Sequence, residues 1–249
     1  MSKEILDTHY KRLAKDYDEF LCYSPEFVRA LTKKMIGKLR LEEDDIFVDL
    51  GCGTGMYSLD ILRQVRLNNQ ILGVDPYPEM LAGIPDDSCI EPVQLDALGF
   101  SRKPGKFDKI LSKEAIHHIH ERDELFANLF GRLKPGGILL LVHVPPDVQY
   151  PLFEKALERC RQWHANPSEL EEQLKNAGFT VEYDRLSYIH RIPKNNYFKM
   201  VECCYMSALT SLSKEDMING LIEMEKKYKN LAILEFVDHF DYLTATKKP

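Results

Sequence analysis

The run Asp49-Leu-Gly-Cys-Gly-Thr-Gly55 sets a carboxylate and three glycines at alternate positions directly behind the apolar stretch Ile46-Phe-Val48. Residues of those types at that spacing suit a loop that receives a nucleoside cofactor. Glycine turns the backbone sharply through positive φ and meets a ligand with no Cβ in the way, and the first N–H groups of the next helix stay free for polar groups. The dinucleotide fingerprint is G-x-G-x-x-G. Here Gly51, Gly53 and Gly55 give G-x-G-x-G, and Met56 stands where the last dinucleotide glycine falls, which argues against a nicotinamide-linked reductase. Glycine-rich turns also follow strands for structural reasons, so the residues further along must decide.

Asp75 closes the next strand-like run, where a carboxylate can accept from both hydroxyls of a ribose, although Asp-Pro also opens ordinary turns. A second group of chemistry-bearing residues is Ser112-Lys-Glu-Ala-Ile-His-His-Ile-His120, after the fourth predicted strand. That is the carboxyl edge of an open α/β sheet, where ligands sit. His117 and His118 titrate near neutrality and suit proton removal, with a helix-start or core role for one of the pair. Glu114 suits a hydrogen bond to a substrate amine or hydroxyl, and Lys113 beside it either pairs with it or lines the site. His117, His118 and His120 lack a fourth ligand at metal-site spacing, so no metal is expected.

These residues need elements to hold them. Residues 4–38 carry apolar positions at helical spacing, broken at Ser24-Pro25, which predicts two amphipathic helices. Strands are predicted at 46–50, 70–74, 92–95, 107–111 and 138–144, with helices at 57–65, 78–83 and 122–133 between them and the turn Lys134-Pro-Gly-Gly137 before the fifth strand. The rhythm is βαβ, hence a parallel sheet. Helices at 151–164 and 167–177, an alternating strand at 180–192 and a last strand at 236–247 follow. Between those two strands lies an insertion with helical pattern at 194–209 and 214–229, where Ser213 and Asp216 resemble a capping box.

Asp49 to Gly55, Asp75, Asp96-Ala97 and the Lys134-Pro-Gly-Gly137 turn, in this order, resemble the class I S-adenosylmethionine-dependent methyltransferases of small molecules. The resemblance covers residues 46–144. It implies a doubly wound, seven-stranded, mostly parallel α/β sheet and S-adenosylmethionine as cofactor. In that frame Gly51 and Gly53 cradle the cofactor, and Asp49 orients the glycine backbone or contacts the cationic methionyl end. Asp75 holds the ribose, Met80 walls the adenine, and Asp96 with the Ala97 N–H reads the adenine edge. Tyr17, in a Tyr-Asp segment ahead of the glycine loop, closes over the cofactor, and Lys113 borders it.

The reading is one domain over 1–249, with a helical cap made of 4–38 and 194–229. Tyr10, His143, Tyr197 and Tyr205 are its candidate acceptor contacts, and His117, His118 and Glu114 its candidate catalytic groups. A net charge of −6 gives no electrostatic footprint for nucleic acid or anionic membrane, and favours a small-molecule acceptor over a macromolecular one. Six cysteines without zinc or disulfide spacing, no apolar signal core and no membrane-length apolar run lead to a cytoplasmic expectation. A non-catalytic cofactor-binding module is the competing reading.

Overall fold

The computed structural model describes residues 3–14 and 24–248. Its elements are α1 (Lys3–Leu13), α2 (Pro25–Leu39), β1 (Phe47–Leu50), α3 (Met56–Gln64), β2 (Ile71–Asp75), α4 (Pro78–Leu81), β3 (Ile90–Gln94), α5 (Ala97–Ser101) and β4 (Phe107–Lys113). A 3₁₀ turn (Ile116–His118), α6 (Arg122–Arg132), β5 (Leu133–His143), α7 (Glu154–Trp163), α8 (Pro167–Asn176) and β6 (Thr180–Pro193) follow. The chain then runs through α9 (Lys194–Glu202), a second 3₁₀ turn (Ser207–Ser211) and α10 (Lys214–Lys227) to β7 (Ile233–Thr246).

The strands form one seven-stranded sheet in the order β3-β2-β1-β4-β5-β7-β6, parallel except for β7, which runs antiparallel to both its neighbours. Period-two alternation divides the core into two layers. In β5, Ile138, Leu140 and Val142 join the layer with Phe27, Leu31 and Met35 of α2, while Leu139 and Leu141 join Phe126 and Leu129 of α6 and Leu170 and Leu174 of α8. The apolar strand is therefore buried on both faces, as its composition predicts.

Local chemistry explains where the helices begin. Ser24 caps α2 by accepting from the Phe27 N–H, with Pro25 in the first turn. Ser213 and Asp216 make the reciprocal capping box at α10. The first predicted strands and helices agree with the structure to within two residues. The 194–209 helix does not: it stops at Glu202, because Cys204 takes a left-handed backbone (φ 51°), and the 3₁₀ turn resumes at Ser207. The Lys134-Pro-Gly-Gly137 turn is stitched into the sheet, since Gly136 donates to Lys247 O and Lys247 donates to Gly137 O, so β5 starts at Leu133. The short α5, capped by Asp96, has no counterpart among the predicted elements.

One register detail positions the site. β5 pairs with β7 only from Ile138↔Thr246 to His143↔Asp241, whereas β6 stays paired to β7 as far as Pro193↔Ile233. The β6–β7 ribbon therefore overhangs the carboxyl end of β5, and α9 and α10 are the connection at its tip.

Candidate active site

Three positive-φ glycines turn the chain from β1 into α3: Gly51 (88°), Gly53 (56°) and Gly55 (77°). At Gly51 the close fit is independent of any ligand, because a Cβ there would lie 2.5 Å from the Cβ of Ala115 in the β4 loop. Asp75, at the end of β2, anchors this turn from below. Its carboxylate accepts from the Gly53 N–H at 3.0 Å and the Tyr77 N–H at 2.9 Å, and burial raises its pKa despite both bonds. Each oxygen keeps lone-pair capacity for a further donor. Met80 is buried against the loop, its Cε 3.2 Å from where a Cβ at Gly53 would stand. Asp96, exposed at the end of the next crossover, caps α5 by accepting from the Gly99 N–H at 2.6 Å.

At the carboxyl end of β4, Lys113 lies 4.3 Å over the Tyr57 ring and 5.2 Å from that of Phe240, and burial lowers its pKa. Glu114 takes a left-handed backbone (φ 56°), rare for a residue with a Cβ, and its Oε1 accepts from the Val144 N–H at 2.6 Å. Burial raises the pKa of this carboxyl. The 3₁₀ turn then presents two imidazoles with ring centroids 4.0 Å apart. His118 shares a 2.8 Å hydrogen bond with the Tyr10 hydroxyl, and Tyr10 stacks on Tyr77 at 4.8 Å, which ties α1 across the cavity mouth. Burial pushes His118 down to about 4 and His117 well below its ordinary value.

The overhanging ribbon supplies a third group, centred on Asp238 and His190, which sequence reasoning did not single out. Asp238 on β7 is 2% exposed; its Oδ1 accepts from the Tyr150 hydroxyl at 2.6 Å, and its Oδ2 lies 3.3 Å from His190 Nε2 on β6. Around that carboxylate stand Phe236, with its ring 5.6 Å from Tyr150 and 5.3 Å from Tyr197, and Tyr205, whose hydroxyl is 3.4 Å from that of Tyr197. His164, at the end of α7, packs edge-on to His117 at 5.6 Å.

All three groups face one cavity of about 920 Å³. Its wall runs from Gly51, Gly53, Asp75, Met80, Asp96 and Ala97 to Lys113, Glu114, His117 and His118, with Tyr10, Tyr197 and Tyr205 above. Asp49 and His143 are not on it. Asp49 is 3% exposed beneath the loop, takes a 2.6 Å hydrogen bond from the Ser58 hydroxyl and is pushed up to about 6 by burial, so it braces the turn from inside. His143 points to the other face of β5, pairs in register with Asp241 and has its Nδ1 3.1 Å from Val144 O. Tyr17 lies outside the described residues. Among the described residues no cluster of three or more His, Cys, Asp or Glu could hold a metal ion, and no helix is long and apolar enough to cross a membrane.

The wall suits S-adenosylmethionine on the chemistry of its donor set. A backbone cradle without Cβ atoms, a buried carboxylate with acceptor capacity left and an apolar methionine lie together beside β1 and β2.

A family model described as a methyltransferase domain matches residues 17–183. The chain is 25% identical to malonyl-[acyl-carrier protein] O-methyltransferase 2 of Ilyobacter polytropus, over 99% of both chains. It is 30% identical to phosphoethanolamine N-methyltransferase 1 of Triticum aestivum over 76% of its own length, and spans 40% of that relative. Among solved structures it shares the fold of Haemonchus contortus phosphoethanolamine N-methyltransferase 2 in complex with phosphomonomethylethanolamine and S-adenosylhomocysteine. That match has a TM-score of 0.58 at 20% identity, over 88% of this chain and 53% of the other.

Proposed function

We infer that this chain, which belongs to the class I S-adenosylmethionine-dependent methyltransferase family, moves a methyl group from S-adenosylmethionine to a small acceptor enclosed between the sheet edge and the helices above it. The observation that carries the reading is the cavity that joins the glycine turn and Asp75 to the polar cluster on the β6–β7 ribbon. Its volume of about 920 Å³ lies near the top of the range for small-molecule sites, roughly 300–1,000 Å³. A relative named for phosphoethanolamine supports a small acceptor.

Bound S-adenosylmethionine supplies a methyl group already activated on a cationic sulfur, so the protein has to align, dehydrate and manage a proton. Asp75 would accept from the ribose hydroxyls, Met80 would pack against the base, and Asp96 with Ala97 would border its edge. Gly51 and Gly53 let the backbone come close, while Asp49 holds the turn from behind through Ser58. Lys113 stands between the cofactor half and the acceptor half. Glu114 is fixed by the Val144 N–H and presents its second oxygen to the acceptor. Tyr10, held by His118, closes the mouth against water. His117 and His118 face the acceptor as neutral imidazoles. Burial lowers both imidazoles, which weakens them as proton acceptors, so these two orient rather than deprotonate.

Calorimetric titration with S-adenosylmethionine and S-adenosylhomocysteine tests the reading. Asp75→Asn keeps the side-chain shape but removes the charge, and is expected to weaken S-adenosylhomocysteine by about 1–3 kcal/mol. A folded wild-type protein that binds neither sulfur ligand would overturn the assignment.

A further inference from the structure

Resting on the methyltransferase reading, the electrostatics of the cavity point to a substrate class: we propose that the acceptor is a small amine that enters as a cation, its nitrogen held between Asp238 and Glu114 inside the aromatic wall of Tyr150, Tyr197, Tyr205 and Phe236. Among the described residues on the wall there are six carboxylates, Asp7, Asp75, Asp96, Glu114, Glu121 and Asp238, against two lysines and no arginine. One lysine, Lys11, is 3.8 Å from Glu79 on the cofactor side. The other, Lys113, already sits in the field of Glu114, Asp238 and Asp49.

An anionic acceptor would therefore meet two carboxylates and, among the described residues, one lysine that already lies in their field, whereas an ammonium finds two charge partners. Asp238 accepts from the Tyr150 hydroxyl through Oδ1 and faces His190 Nε2 at 3.3 Å through Oδ2, and Glu114 accepts from the Val144 N–H through Oε1, so both carboxylates have lone pairs to offer. The buried imidazoles add no positive charge, since His117, His118 and His164 all have lowered pKa values. Aromatic faces around a carboxylate attract a cation further.

The same geometry provides for the proton. The ammonium gives one proton to the imidazole of His190, whose Nε2 lies 3.3 Å from Asp238 Oδ2. The freed nitrogen pair forms the N–C bond, the C–S pair stays on sulfur, and the products are the N-methyl ammonium and S-adenosylhomocysteine.

The test uses wild-type protein saturated with S-adenosylhomocysteine and titrated calorimetrically with matched sets: benzylamine, benzyl alcohol and benzoate; 2-phenylethylamine, 2-phenylethanol and phenylacetate; ethanolamine and phosphoethanolamine. The amine of each aromatic set is expected to bind roughly tenfold tighter than its alcohol, with the carboxylate weakest, and ethanolamine to outrank phosphoethanolamine. Asp238→Asn should abolish the preference for the amine and leave S-adenosylhomocysteine affinity unchanged; if that variant does not fold, the wild-type ranking decides. A carboxylate or phosphate member that equals or beats its amine, or no member binding at millimolar concentration, would overturn the amine assignment alone. Failure of S-adenosylhomocysteine to bind would instead remove the cofactor reading on which it rests.

Discussion

Replacing His164 with phenylalanine should make the ligand-free protein more stable at neutral pH and much less sensitive to acid. His164 is 8% exposed, neither ring nitrogen has a hydrogen-bond partner, and burial pushes its pKa from 6.5 down to about 3. Below pH 6.5 the unfolded chain binds a proton that the folded protein refuses, so stability falls as pH drops through the window from about 6.5 to 3 and is undiminished above it. At about pH 4.5, two pH units into that window, the cost is about 3 kcal/mol at ~1.4 kcal/mol per unit. His118, lowered to about 4, adds a further cost, and the two sum to less than their separate values because part of the His164 shift comes from charge on His118. That compares with a total stability of about 5–15 kcal/mol for a domain.

Phenylalanine keeps a ring against His117 and removes two unpartnered nitrogens, which should add about 1–2 kcal/mol at pH 7 and widen the gap by about 3 kcal/mol at pH 4.5. Urea unfolding of both proteins at the two pH values, followed by the fluorescence of Trp163, the single tryptophan, reads this directly. Equal losses of stability in wild type and variant between the two pH values would refute the reasoning.

Other positions give sharp expectations. Gly51→Ala combines a φ of 88° with a Cβ 2.5 Å from that of Ala115. It should cost about 1–3 kcal/mol of stability through backbone strain alone and weaken S-adenosylhomocysteine in calorimetry; wild-type affinity would separate the turn from the cofactor. Ser213→Ala removes the acceptor of the Asp216 N–H and should lower the denaturation free energy by about 0.5–2 kcal/mol with cofactor affinity unchanged. Asp49→Asn deletes a carboxyl raised from 3.8 to about 6. Wild type should lose about 3 kcal/mol from this group as pH rises between 4 and 6, a slope that denaturation of the variant should lack.

The glycine turn, Asp75, Asp96 and the apolar fifth strand were legible because each is a local pattern whose spacing fixes its place. His190, Asp238 and Tyr150 were not, since only the β6–β7 register brings Asp238 opposite Tyr188 and thus beside His190. His143 looked like an acceptor contact because it ends a strand at the right edge. Alternation along β5 sends it to the opposite face from Val142, and no local signal distinguishes those faces when the whole strand is apolar. Asp49 shows the same limit: its position in the motif is readable, but the Ser58 hydroxyl in the first turn of α3 is what claims it.

The overhang of β6 and β7 also sets an order of assembly. β1 to β5 pair among themselves, each new strand against an earlier one, so the five-stranded part of the sheet that carries the glycine turn can form while the rest of the chain is still emerging from the ribosome. β6 has no partner but β7, which is made only after the 194–232 connection, and closing so long a loop precedes any pairing energy. The fourteen-residue β6 must therefore wait as an unpaired strand, and the nascent protein's window for misassociation lies between residue 193 and the arrival of β7.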